Sequence, residues 1–242
     1  IKKNHKILRL KSVRSGPSEV HSLYIRPDYR QRGVGRFLSL SRFLFMAQFP
    51  ERFESHVIAE MRGVSDKFGF SPFWAAVGAH CYGLSFQEAD RCYVENNTFV
   101  EELSIKEPII ASFLPESSQA VIGEVHPKTK PAYKLLSSEG FKQSSRVCIF
   151  DAGPIVEAPV SSVRSVSESR LVTISDIVSL VSEEHEPYII ATTSLIHYRC
   201  ALSSLITNKD TVIIPSNIAT SLSVNKGDSL YVVPLRGSKK EE

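Results

Sequence analysis

The stretch LYIRPDYRQRGVGRFL, from Leu23 to Leu38, constrains the fold more than any other part of this 242-residue chain. The apolar run EVHSLYI, Glu19 to Ile25, predicts a buried strand. Pro27 ends it, because proline has no N–H to give to a ladder. A basic turn with two glycines follows, RQRGVG from Arg30 to Gly35. Beyond it, RFLSLSRFLFMAQF puts Phe37, Leu40, Leu44 and Ala47 on one face, with Leu38 and Phe45 widening the stripe. That spacing predicts a mostly buried helix. HVIAEM, His56 to Met61, predicts a second short buried strand. Strand, helix and strand at this spacing form an α/β unit.

A strand, a glycine turn and a helix in that order suit an anion. Glycine lets the backbone approach a ligand and turn its N–H groups inward. The helix N-terminus adds a partial positive charge, and Arg30, Arg32 and Arg36 add full ones. A pyrophosphate fits that combination. The spacing R-x-x-G-x-G is not the P-loop pattern, which needs four residues between its glycines and then Lys-Ser or Lys-Thr. Nor is it the dinucleotide fingerprint, where G-x-G comes first and another glycine follows. The alternative is a strand–helix turn that needs a flexible backbone and carries surface arginines.

The middle of the chain predicts helices with legible starts. In SPFWAAV, Ser71 is an N-cap and Pro72 the first helical residue. SFQE (Ser85–Glu88) and TFVE (Thr98–Glu101) fit the capping box. A helix is predicted from about Pro131 to Ser138, stopped by Gly140. VCIFD, Val147 to Asp151, predicts a strand before a turn at AGP. Beyond a Ser- and Val-rich connector come four short β-like runs, RLVTI, YIIATT, TVIIP and SLYVVPL. Turn signals at Asn208-Lys209-Asp210 and Lys226-Gly227-Asp228 separate the later ones. The expected division is a first region over 1–153, a connector over 154–170, a small β-barrel-like domain over 171–236 and a solvated tail over 237–242.

The net charge of +3 suits an anionic ligand but falls short of the dense basic face of a nucleic-acid binder. The four cysteines, Cys81, Cys92, Cys148 and Cys200, form no CxxC pair, so zinc and redox motifs gain no support. Scattered thiols in a chain of this size fit a reducing cytoplasm. No apolar run is long enough to span a membrane, and IKKNHKILRLK contains no secretory h-region. The expectation is a cytoplasmic protein with no metal, no membrane and no nucleic acid among its partners. The two methionines, Met46 and Met61, are internal, so the chain is expected to be a fragment or a processed product.

R-x-x-G-x-G after L-x-I-x-P resembles the acyl-CoA-binding motif of the GNAT acyltransferase superfamily. Longer blocks extend the likeness. PDYRQRGVGRFLSLSRFLFMAQFPERF, VIAEMRGVSDKFGFSPFW, AVIGEVHPKTKPA and EGFKQSSRVCIFDAGP look like successive blocks of arginine N-succinyltransferase, in family order, over most of Leu23 to Pro154. The stretch from Ala201 to Leu235 resembles that family's tail more loosely. The resemblance implies an α+β fold: a GNAT-like acyl-CoA N-acyltransferase core, with a mixed, splayed sheet and flanking helices, followed by a small β-rich C-terminal domain. It implies transfer of succinyl from succinyl-CoA to the α-amino group of L-arginine, at the opening of arginine degradation, with ornithine also accepted by some members. Succinyl-CoA is then the acyl-donor substrate, no cofactor is permanently bound, and the protein works as a homo- or hetero-oligomer. The resemblance also implies a longer N-terminal portion than precedes Glu19 here. A second expectation is therefore a catalytically incomplete acyl-CoA-binding remnant, or one subunit of a hetero-oligomeric acyltransferase.

Carried over by resemblance, Leu23 and Ile25 line the pantetheine arm, and Arg30, Arg32, Gly33, Val34 and Gly35 cradle the phosphates. The chemistry needs a neutral amine, a thioester carbonyl and a proton for the departing thiolate. His126, in EVHPKTKPA, stands where the family places its proton donor. Pro127 disfavours a helical conformation at His126, which predicts a strand end just before a helix. The alternative is a loop histidine held by a backbone carbonyl. Many GNAT enzymes carry a tyrosine acid in A-x-x-[LF]-Y-x-x-x-G-F. Here AYKLLSSEGF has Leu136 at that position, and Tyr133 lies on another helix face. A guanidinium wants a carboxylate and a succinyl carboxylate wants an arginine. Glu60, Arg62 and Asp66 in AEMRGVSD are candidates, with a structural ion pair or solvated loop charges as the alternative. Trp74 is expected in the core. His21, His56 and His80 are expected to be structural, and His5, His185 and His197 have no partner pattern.

Overall fold

The computed structural model describes residues 6–13, 15–30, 33–95, 107–182 and 186–237. Arg32, the TFVE capping box, His5 and His185 lie outside the described residues. The chain divides into two compact units. The first holds Ile1–His21, Ile58–Ser137 and Phe141–Glu157; the second holds Ser22–Val57, Ser138–Gly140 and Ala158–Glu242.

In the first unit, β1 (Ile7–Leu8) pairs antiparallel with β4 (Ile109–Ile110). A four-stranded sheet, most of whose residues belong to this unit, runs in the order β2 (Ser18–Glu19), β3 (His56–Glu60), β6 (Pro154–Pro159), β5 (Lys142–Val147). The strand predicted at Glu19–Ile25 is thus much shorter. Val20 N–H still donates to Ile58 O at 2.9 Å, but Ser22 takes φ +55°, in the left-handed region that no strand residue occupies. The strand predicted at Val147–Asp151 is also displaced, because the strand is the polar run Lys142–Val147 that precedes it. As an edge strand it buries none of its side chains fully, so it carries no apolar signal. The apolar residues that suggested a strand serve the turn instead. Phe150 stacks on Trp74, with ring centroids 5.4 Å apart.

The helix starts follow local chemistry. Ser71 Oγ accepts the Trp74 N–H at 3.3 Å and caps the helix Pro72–Ala76. Such a cap is worth about 1 kcal/mol. Ser85 and Glu88 form a full capping box at the helix Phe86–Glu95: the Ser85 N–H and O–H donate to Glu88 Oε2 at 2.9 and 2.7 Å, and Glu88 N–H donates to Ser85 Oγ at 3.3 Å. These bonds hold the Glu88 carboxyl below its ordinary range. Trp74 is core, as its apolar neighbourhood predicts: it is buried, stacks on Tyr82, and gives its Nε1–H to Leu84 O at 3.0 Å. The helix Lys130–Ser138 buries Leu136.

In the second unit, the helix Val34–Gln48 buries Leu40, Phe43, Leu44 and Met46, while Phe37 and Ala47 sit at the margins of the stripe. The C-terminal strands are β7 (Arg170–Val178), β8 (Pro187–Thr192), β9 (Cys200–Ser204), β10 (Ile206–Asn208), β11 (Thr211–Pro215) and β12 (Ser229–Pro234). They form one mixed sheet in the order β10-β11-β7-β12-β8-β9. β11 and β7 pair in parallel and the other pairings are antiparallel. The four predicted β-like runs are the four central strands. Val172, Ile174, Ile190, Val212, Ile214 and Leu230 make their core, with Ala219 and Leu222 from the helix Ser216–Leu222. The expected connector over 154–170 holds β6, a 3-10 turn at Val160–Ser162 and a short helix, Arg164–Ser167.

A carboxylate is fully enclosed in this unit. Glu139 is 0% exposed. Its Oε1 accepts from Arg164 Nε and Nη2 at 3.0 and 2.9 Å. Its Oε2 accepts the N–H and O–H of Ser165 at 2.9 and 2.6 Å. Arg164 Nη1 also reaches Pro234 O at 3.1 Å.

Candidate active site

The residues singled out for the donor lie in the second unit. Beyond Ser22 the chain is irregular, with Leu23 45% exposed and Tyr24 69% exposed. Pro27–Tyr29 form a 3-10 turn. Arg30 Nε donates to Ile25 O at 3.0 Å, and its guanidinium lies over the Tyr24 ring at 5.8 Å. The loop therefore folds back on the segment that precedes it. Gly33 enters the helix at φ +90°, a conformation that costs other residues dearly. No side chain among the described residues caps this helix end. Its first intrahelical bond runs from Phe37 N–H to Gly33 O, and the N–H groups ahead of it have no intrahelical acceptor. A Cβ on Gly35 would lie 3.4 Å from Ile25 Cδ1, so the first helical turn rests on the Ile25 side chain.

The residues singled out for proton transfer and the acceptor lie in the first unit. Beyond β3, Gly63 forms an isolated antiparallel bridge with Val125, and His126 N–H donates to Arg62 O at 2.9 Å. His126 thus ends a single bridge and opens the 3-10 turn Pro127–Thr129 and the helix after it, as Pro127 predicts. It is 8% exposed. Its Nδ1 accepts the Lys128 N–H at 3.1 Å. A neutral imidazole whose Nδ1 is an acceptor carries its proton on Nε2. The ring is held by a backbone N–H rather than by a carbonyl.

Glu60 ends β3. Desolvation first, then the nearby Glu19 and Asp151 carboxylates, hold its carboxyl above the ordinary range, against the hydrogen bond with Cys148 and the charge of Arg146. Burial, followed by Asp151 and Glu60, pushes the Cys148 thiol up to about 12. At neutral pH that thiol is protonated, which disqualifies it as a nucleophile. Arg62 is exposed and donates to Ser65 Oγ at 2.8 Å. Asp66 is engaged locally: its Oδ1 accepts the N–H groups of Phe68 and Phe70 at 2.8 and 2.9 Å. Tyr133 O–H lies 3.5 Å from Gln143 Oε1, and Leu136 is buried where the tyrosine acid would stand. Among the described residues, no group of three or more His, Cys, Asp or Glu could hold a metal ion. No helix of the described residues is long and apolar enough to cross a membrane.

The sequence reading passed over Asp151. Its buried carboxylate accepts Gly63 N–H through Oδ2 at 2.7 Å and Gly153 N–H through Oδ1 at 2.9 Å. The signal was local: an Asp two residues before a Gly is an Asx-turn pattern, and it was masked by the strand expectation for VCIFD.

The mixed α+β fold followed by a β-rich C-terminal sheet is that of a GNAT-like acyl-CoA N-acyltransferase, the class of the solved structure it matches. Comparison with known proteins narrows the class. Residues 1–165 match the family model described as arginine N-succinyltransferase beta subunit, and residues 170–234 match the model of its C-terminal domain. The chain belongs to the arginine N-succinyltransferase family. Proteins named arginine N-succinyltransferase from Salmonella paratyphi B and Salmonella newport are 37% identical to it over 234 residues, covering 96% of this chain and 68% of theirs. The solved structure of arginine/ornithine succinyltransferase subunit AI from Pseudomonas aeruginosa superposes with a TM-score of 0.78 at 32% identity. That match covers 91% of this chain and 63% of the solved one, so the chain spans about two thirds of the length of its relatives.

Proposed function

We propose that this chain carries the donor-binding and proton-transfer parts of an arginine N-succinyltransferase, with succinyl-CoA as acyl donor and L-arginine or ornithine as acceptor. The observation that carries the proposal is the 37% identity, sustained over 96% of the chain, with proteins named for that reaction. In the transfer, the neutral α-amino nitrogen attacks the thioester carbonyl. The C–N bond forms, the C–S bond breaks, and the electron pair leaves on sulfur. The nitrogen loses a proton and the thiolate gains one, so the step balances without a further reagent or a permanently bound cofactor. His126 donates its Nε2–H to the departing sulfur as the proton lost by nitrogen is returned to the ring, so the imidazole is neutral before and after the step.

The remaining roles follow from charge and shape. Arg30, Arg32 and the amides of Gly33, Val34 and Gly35 take the pyrophosphate. Leu23 and Ile25 supply apolar surface for the pantetheine arm. Glu60 takes the acceptor's guanidinium and Arg62 the succinyl carboxylate. The region over 1–153 is proposed to perform the transfer, joined through 154–170 to the β-rich part over 171–236, in a cytoplasmic homo- or hetero-oligomer.

Thermal melting tests the donor assignment. A ligand at 100 times its Kd stabilises the folded state by about 2.7 kcal/mol. Succinyl-CoA is expected to raise Tm more than acetyl-CoA at equal concentration. Equal shifts would contradict the succinyl assignment. A shift with succinyl-CoA, but no arginine-dependent CoA release, would favour an acyl-CoA-binding subunit without its own turnover.

A further inference from the structure

We infer that Asp151 is a positioning residue for His126, acting through the backbone of Arg62 and Gly63; the inference rests on the reading of His126 as proton donor. The Asp151 carboxylate accepts Gly63 N–H at 2.7 Å. Gly63 bridges Val125, and the preceding carbonyl, Arg62 O, accepts His126 N–H at 2.9 Å. The other end of the histidine's turn is tied to the same loop, since Gly123 N–H donates to Ala152 O at 2.8 Å. The loop that bears Asp151 therefore holds the 123–126 turn directly at Gly123 and, through the Arg62–Gly63 peptide, at His126.

The fit at this junction leaves no slack. A Cβ on Gly63 would lie 2.4 Å from Asp151 O and 2.8 Å from Asp151 Cγ, and one on Gly153 would lie 2.1 Å from Met61 O. Two glycine backbones meet over a carboxylate that accepts from both. Charge-assisted bonds of this kind are stronger and shorter than neutral ones. An apolar side chain would fill the same space without them. What the carboxylate adds is a fixed height for the Arg62 carbonyl, and with it the position of His126. General acid catalysis is sensitive to such placement, because a misplacement of about 1 Å costs on the order of 100-fold.

The test is a double-mutant cycle on the protein that carries this chain. Asp151→Asn keeps the shape and loses one of the two acceptor sites. It is expected to lower kcat about 10- to 100-fold with the KM for succinyl-CoA nearly unchanged. In the His126→Ala background the same change is expected to cost nothing more in kcat. Loss of Tm with kcat intact, or multiplying losses in the double variant, would overturn the inference and leave the His126 reading standing. Full activity of His126→Ala alone would sink both. If Asp151→Asn does not fold, amide hydrogen exchange of the unaltered protein decides. The Gly63 and His126 amides are expected to open together with equal protection, and independent opening of His126 would overturn the coupling.

Discussion

His126→Ala is expected to lower kcat for succinyl transfer by about 100- to 10,000-fold, the range that general acid catalysis contributes. The KM for succinyl-CoA is expected to change little, because the proton is given only as the C–S bond breaks. The buried ring has Nδ1 occupied by Lys128 N–H, which leaves Nε2–H as the donor in the neutral form. Alanine offers no proton, and Tyr133 does not stand in, because it lies on another helix face against Gln143. A leaving-group series separates this role from a structural one. With a thioester of a more acidic thiol, the sulfur departs without help and the defect shrinks. A variant equally defective with every leaving group would show that His126 serves the fold or the acceptor instead.

Glu139→Ala is expected to destabilise the protein by about 3–5 kcal/mol, the cost of breaking a buried charge pair and stranding the buried donors of Ser165. Arg164 would keep its ion pair with Glu168 and its bond to Pro234 O and lose the two bonds to Glu139 Oε1, while the Ser165 N–H and O–H would lose their acceptor. For a chain of this size that corresponds to a fall in Tm of about 6–20 °C. The paired change Glu139→Leu with Arg164→Met removes both charges and is expected to recover much of the loss. A Tm within about 2 °C of the unaltered protein for Glu139→Ala would show that water reaches the carboxylate's place.

Where the physics is local, sequence and structure agree. Ser71 and Ser85 cap helices because their hydroxyls reach the first N–H groups whatever packs around them. The four β-like runs RLVTI, YIIATT, TVIIP and SLYVVPL lie in β7, β8, β11 and β12, the strands with a neighbour on each side. Their flanking partners β9 and β10 carry too little apolar pattern to read. The strand expected at Glu19–Ile25 fails at Ser22, whose left-handed backbone turns the chain out of the ladder and carries no apolar or periodic signal in the sequence. The strand expected at Val147–Asp151 fails because Phe150 is apolar for the aromatic cluster around Trp74 rather than for a ladder. Pro127 placed His126 at the mouth of a helix from two residues alone. The carboxylate that braces that turn comes from twenty-five residues further on, and only the folded chain brings Asp151 to Gly63.

The central claim is succinyl transfer to an α-amino group, and product analysis tests it most directly. Protein carrying this chain is incubated with succinyl-CoA and L-arginine, and free CoA and N2-succinyl-L-arginine are quantified together by mass spectrometry. The two are expected to appear in equal amounts, with CoA release dependent on the amino acid. CoA release at the same rate with and without arginine or ornithine, and no succinylated amino acid, would contradict the claim.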